Sequence, residues 1–285
     1  TRASSGGTLA EFISGFPVDM YLRHLVSSSF EHRAHTRLLG QTKLITNTTA
    51  AEVSDSTVAF DSNVGAGPSG ESVNTNILAH MFRRAPGFFD VVAFTAPDFA
   101  ANAYTHNLGV TPELYIVKRR DSASDWSVYS EALGNTKYLK LQDTGGEFTG
   151  GVWGNTSPTS TQFYYSGVTS GTYIAYLFAS VPGISKVGSY TGNGTSQTID
   201  CGFSAGARFV MTKRTNTTGN WNVWDSERGI VAGNDPRLEL NTTDAEDTGH
   251  DYIDPDSSGF VVNYVADDDD DSNVSGDEYI FIAIA

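Results

Sequence analysis

The sequence predicts an all-β protein of tandem β-sandwich, jelly-roll-like repeat domains, each of about 95 residues, with the first copy divergent. Three observations predict this. Landmarks recur in the same order along the chain. The segments between turns are short and either alternate or are rich in β-branched and aromatic residues, with Gly, Asn, Asp, Ser or Pro separating them. Helical periodicity is never sustained, and "SFEHRAHTRLLG" is the one short candidate. The expected boundaries are 1–87, 88–183 and 184–285.

The worn first copy begins "GFPVDMYLRHLV" at Gly15, continues through "LITNTTAAE" (44–52) and closes with "NILAHMF". It lacks part of its leading hairpin, so it is either completed by a neighbouring chain or simply shortened. The seam "FRRAPGFF" leads into the second copy, whose leading strand is "FFDVVAFTA" and whose next block, "GVTPELYIVKRRDSASDWSVYSEAL", starts at Gly109. "LKLQDTGGE" and "TYIAYLF" follow, and then the second seam "FASVPGIS". The third copy opens with "KVGSYTGNGTSQTIDCGF", in which Asn-Gly supplies a positive-φ turn. It continues with "GFSAGARFVMTKRTNTTGNWNVWDSERG", "LELNTTDAE", "GFVVNY" and "EYIFIAIA". Trp126 matches Trp221, and Lys118-Arg119 matches Lys213-Arg214. A tryptophan at equivalent points of two copies reads as a shared core anchor.

A net charge of −15 over 285 residues excludes a nucleic-acid backbone as the natural partner and disfavours anionic membranes. An apolar run long enough to span a bilayer is absent from the sequence. The first residues, "TRASSGGTLAEF", carry neither an initiator Met nor an apolar signal core, which reads as a trimmed or processed product. The single cysteine, Cys201, leaves no intrachain disulfide framework and reads as a small core residue.

Catalytic constellations are sparse. There is no nucleophile elbow, phosphate-binding loop, dinucleotide fingerprint or zincin motif. His32 and His35 have a spacing found in some metal sites but no evident third ligand, and read as an exposed polar loop. Asp225 and Glu227 beside Trp224 are the carboxylates most suggestive of sugar chemistry. The middle copy has no acid matching Asp225, however, which fits a structural position better, so no catalytic residue is assigned. Asp267, Asp268, Asp269, Asp270 and Asp271 form a run that a Ca²⁺ ion would suit, although a solvated acidic loop between two strands is the favoured reading. The Asn-x-Ser/Thr sequences at Asn47, Asn155, Asn193, Asn216, Asn241 and Asn273 read as turn chemistry. Trp153, Tyr164 and Tyr165, outside the repeated pattern, are the candidates for a surface aromatic platform that stacks on a sugar ring.

The stretches "APGFFDVVAFT", "LGVTPELYIVKRR", "SKVGSYTGNGTSQTIDCGFSAGARFVMTKRT", "GNWNVWDSERGIVAGNDP" and the closing "EYIFIAIA" resemble a repeat domain of uncharacterised function. It occurs in tailed-bacteriophage virion proteins, marine ones especially. The resemblance runs from about Gly15 and is densest beyond Phe88. It implies a virion structural protein on the particle surface, a tail fibre or other host-contacting appendage that acts by non-covalent adhesion. Implied partners are other virion proteins, further copies of the chain with a trimer favoured, and a host cell-surface glycan or protein. A capsid decoration protein, and a polysaccharide-binding or depolymerase module, are the rival readings. The run of five aspartates departs from the short Asn- or Ser-rich turn of such repeats.

Overall fold

A computed structural model describes residues 12–68, 76–99, 101–266 and 272–285. The described residues hold 24 strands, one 3-10 turn at Arg37–Leu39 and no α-helix, so none of them forms a helix that could cross a membrane. The first unit contains β1 (Phe12–Ile13), β2 (Met20–Leu25), β3 (Arg33–Thr36), β4 (Thr42–Ile45), β5 (Val53–Ser54), β6 (Val58–Ala59), β7 (Gly65–Pro68) and β8 (Ile77–Phe82). The second contains β9 (Phe89–Ala96), β10 (Ala101–Thr105), β11 (Leu114–Arg119), β12 (Trp126–Ser130), β13 (Lys137–Lys140), β14 (Phe148–Thr149), β15 (Gln162–Ser166) and β16 (Gly171–Phe178). The third contains β17 (Ser185–Thr191), β18 (Gln197–Asp200), β19 (Phe209–Arg214), β20 (Trp221–Asp225), β21 (Leu238–Glu239), β22 (Ile253–Asp256), β23 (Gly259–Val262) and β24 (Glu278–Ile284).

Among the described residues every strand pairing is antiparallel, and each unit makes one large and one small sheet. The large sheets run β5-β4-β3-β2-β8, β14-β13-β12-β11-β16-β9 and β17-β24-β19-β20-β21. The small ones run β1-β7-β6, β10-β15 and β18-β23-β22. The register agrees between units: Met20 opposes Phe82, Leu114 opposes Phe178 and Phe209 opposes Ile284. The expected sandwiches are therefore lopsided, with two or three short strands facing five or six.

The three units also share a core. Successive residues of a strand point to opposite faces, so one strand can feed two cores. Ile116, Trp126 and Tyr176 turn inward to meet Met20, Leu22 and Leu44 of the first unit and Met211, Trp221 and Ile282 of the third. Their neighbours Tyr115, Val117 and Tyr173 turn the other way and pack with Trp153, Phe163 and Tyr165 under the small sheet. Equivalent satellite cores lie around Val210, Trp224 and Phe260 in the third unit and around Phe12 and Tyr21 in the first. Large sheets covered on both faces explain why β12 and β20 are buried at every position. The units thus close around one interior.

The same backbone hydrogen bonds close all three joints between units. The amides of Ser124, Gly219 and Phe30 donate to the carbonyls of Thr49, Thr144 and Thr243 at 2.8, 2.9 and 2.8 Å. The amides of Glu52, Glu147 and Glu246 donate to Arg120, Thr215 and Val26. Close backbone approach at these joints needs glycine in one place. A Cβ on Gly146 would sit 2.7 Å from the Thr215 carbonyl oxygen and 2.9 Å from that of Thr217, whereas one on Gly151 would meet nothing within 4 Å. Gly146→Ala is expected to cost about 1–3 kcal/mol by overpacking, while Gly151→Ala stays near neutral. Parallel thermal melts compare the two, and equal melting temperatures would refute the joint's tightness.

Candidate functional site

Two of the joints are built from the same side chains. Lys118 pairs across the ladder with Trp126, and Lys213 with Trp221. Both lysines are buried. Lys118 Nζ donates to Thr49 O at 2.8 Å, and Lys213 Nζ to Thr144 O at 2.9 Å. Trp126 Nε1 donates to the carbonyls of Ile45 and Thr48, both at 3.1 Å, and Trp221 Nε1 to that of Lys140 at 2.9 Å. These two tryptophans are core anchors, as the repeat pattern implied. Burial pulls the Lys118 ammonium down to about 8, with Asp125 opposing the shift.

The joint between the third and first units is different. Where the others have Lys and Trp, it has His24 and His32, 94 residues before Lys118 and Trp126. His32 Nδ1 lies 2.8 Å from His24 Nδ1, and His24 Nε2 lies 3.1 Å from His80 Nδ1. His80 Nε2 then meets Asp225 Oδ2 at 3.0 Å, crossing from the first unit into the third. Arg228 Nε donates to the same oxygen at 2.6 Å, and its guanidinium also reaches Glu246 at 3.5 Å. Asp225 Oδ1 accepts the amides of Glu227 and Arg228, both at 3.0 Å. The counterpart of His80–Asp225 at the first joint is Tyr176 with Thr36, 2.9 Å apart.

Burial pushes the His24 imidazole well below its ordinary range, with His32 and His80 adding to the shift. His32 falls to about 4 by burial, against the pull of the Glu239 carbonyl. Nonetheless its Nε2 closes no hydrogen bond with any described group. His80 is also lowered by burial, with Asp225 opposing. The Asp225 carboxyl lies far below the carboxylate range: its burial acts upward but is outweighed by His80 and Arg228. The reading of His32 and His35 as an exposed polar loop is corrected here. Both are fully buried, and His35 stacks on Tyr21 at 4.6 Å.

Next to His80 and Asp225 lies a cleft of about 470 Å³ with Phe82, Phe88, Phe209 and Ile284 on its walls and Arg83, Arg208 and Glu227 among its polar groups. His80 offers it no free nitrogen, since both are engaged. The three imidazoles bridge one to the next and do not converge on a common point. Among the described residues, no group of three or more His, Cys, Asp or Glu side chains is placed to hold a metal ion.

The aromatic platform expected at Trp153, Tyr164 and Tyr165 does not form as a set. Trp153 is fully buried and donates Nε1 to the Lys137 carbonyl at 2.7 Å, and Tyr165 is 2% exposed. Only Tyr164 is half-buried. Alternation in β15 turns Phe163 and Tyr165 into the satellite core and Tyr164 away from it. Trp224 is likewise buried, and Asp225 is spent on four hydrogen bonds. Asp267 to Asp271, the suggested Ca²⁺ run, lie outside the described residues. Cys201 is a free thiol in the third satellite core, pushed up to about 12 by burial.

A family model for a domain of unknown function, DUF7483, matches residues 69–285. The chain belongs to that family. No curated protein and no solved structure matches it. The DUF7483 match takes in His80, Asp225 and Arg228, while His24 and His32 precede it, so the relay spans both the matched region and the segment before it.

The buried histidines carry a pH dependence whose sign is fixed. Their folded pKa values lie below the unfolded value of 6.5, so the unfolded chain takes up protons first as pH falls. Stability present above pH 6.5 is lost on acidification towards the folded values. For His32 and His35, both at about 4, the loss between pH 6.5 and 5 is about 2 kcal/mol each. Asp235 acts oppositely: burial raises it to about 6, so its contribution returns as pH falls below that value. One carboxyl does not offset four imidazoles, and urea midpoints are expected to fall from pH 7 to pH 5. A constant midpoint would refute the assignment.

Proposed function

We propose that the chain is a non-catalytic structural module of a phage particle, part of a tail fibre or another host-contacting appendage, that works by adhesion. The observation that carries this reading is the closure of all three joints by the same backbone hydrogen bonds, which suits a stiff body bearing loops. Support also comes from the phage-like wording of the repeats. The most pointed carboxylate, Asp225, is engaged internally. An acidic surface, at a net −15, suits dense display on a particle. Three like units around one core offer, within one chain, the three-fold presentation expected of a trimer. Exposed apolar side chains such as Phe99, 74% exposed after β9, are available for contact.

The test is antibody labelling of this chain on intact particles, viewed by electron microscopy. Label at the tail is the expected result. Label spread over the head would overturn the appendage reading in favour of a capsid decoration protein, and absence of label would remove the chain from the particle.

A further inference from the structure

The proton count of the histidine relay has a definite solution. Asp225 is an anion held by Arg228, so His80 Nε2 carries the proton shared with Oδ2. A neutral imidazole has one N–H. With all three rings neutral, His80 Nδ1 must accept from His24 Nε2–H, and His24 Nδ1 must accept from His32 Nδ1–H. His32 Nε2 is then a bare lone pair, buried beside the Glu239 carbonyl, itself an acceptor. It is the one ring nitrogen of the relay without a partner. Such a group carries a desolvation penalty.

One added proton reverses every direction. His80 becomes an imidazolium and donates Nδ1–H to His24, and His24 donates Nδ1–H to His32. His32 Nε2–H then faces the Glu239 carbonyl, the role that Trp126 and Trp221 play at the other joints. The surrounding charges allow this one cation: Asp225 and Glu246 face Arg228, and Asp244 lies near His32. A second proton has no place. Each ring-to-ring contact already holds its single hydrogen, so another sets two N–H groups against each other across 2.8 or 3.1 Å.

We propose that the joint between the third and first units is an acid-released latch, in which the relay accommodates one proton and comes apart at the second. The other two joints, made of lysine and tryptophan, stay shut. Opening breaks the Phe30–Thr243 and Glu246–Val26 backbone bonds and leaves their four counterparts intact.

The counterparts make the experiment internally controlled. Native-state hydrogen exchange on the full chain, corrected for intrinsic rates, is read between pH 7.5 and 5 at six amides. Those of Phe30 and Glu246 are expected to lose at least about tenfold more protection than those of Ser124, Glu52, Gly219 and Glu147. Equal loss at all six, or no loss at Phe30 and Glu246, would overturn the proposal. A second arm replaces the relay with the residues of the other joints, His24→Lys with His32→Trp. That variant should exchange equally at all six amides throughout the range, and a persisting difference would also overturn the latch. Should it fail to fold, the wild-type comparison still decides.

Discussion

Asp225→Ala is expected to lower the unfolding free energy by about 3–5 kcal/mol, the cost of stranding one partner of a buried ion pair. Arg228 is only 1% exposed and donates Nε to this carboxylate. The alternative anion, Glu246, is at 3.5 Å and reaches a different guanidinium nitrogen. The same truncation deprives His80 Nε2 and the amides of Glu227 and Arg228 of their acceptor. Asp225→Asn separates charge from shape, since its amide oxygen can still accept the two turn amides while the –NH₂ confronts Arg228. It should lose most of the same stability. Urea denaturation at pH 7 measures both, and a loss below about 1 kcal/mol for the alanine variant would mean that Arg228 re-pairs with Glu246.

Trp126→Ala should cost a similar amount, about 3–5 kcal/mol, for a different reason. Its indole is 1% exposed in the core common to all three units, and truncation leaves a cavity in an interior that three sheets hold open. It also removes the indole N–H that the Ile45 and Thr48 carbonyls of the first unit share. Trp126→Phe keeps much of the apolar volume but loses the N–H and part of the ring system, so a smaller loss of about 1–3 kcal/mol is expected. If Trp126 anchored only its own unit, the alanine variant would unfold in two steps, with the first and third units surviving. A single transition with an unchanged denaturant slope is the predicted outcome.

Fold class was legible because turn residues punctuate short β-rich segments and the landmarks repeat. The closed arrangement was harder to read, although the runs "YIAYLF" and "YIFIAIA" carry its signal. A strand covered on one face alternates, as β17 does, whereas unbroken apolar runs report burial on both faces and hence a further layer. The relay was illegible for a plainer reason. His24, His32 and His80 lie in separate elements, and the partner of His80 is 145 residues away. Residue spacing found only the pair His32 and His35, which strand alternation sends to different neighbours. The sequence signal of the odd joint is the offset of 94 residues that sets His24 and His32 against Lys118 and Trp126. For Trp153 and Tyr165, departure from the repeat pattern suggests the surface, but an irregular position can equally be an extra core residue filling one lopsided sandwich.

Closure of the ring constrains how the chain is born. Thr46 Oγ1 donates to the Leu240 carbonyl, a contact spanning 194 residues, and Ile280 and Ile282 of β24 complete the shared core from more than 200 residues beyond β3. A nascent first unit therefore emerges from the ribosome with the inner face of its large sheet bare, and it stays bare until the second and third units have been made. Contacts so distant along the chain make for slow assembly, with an interval in which apolar surface and strand edges are open to other chains. Yield should thus depend on elongation rate and on chaperone supply more than the stability of the finished molecule would indicate.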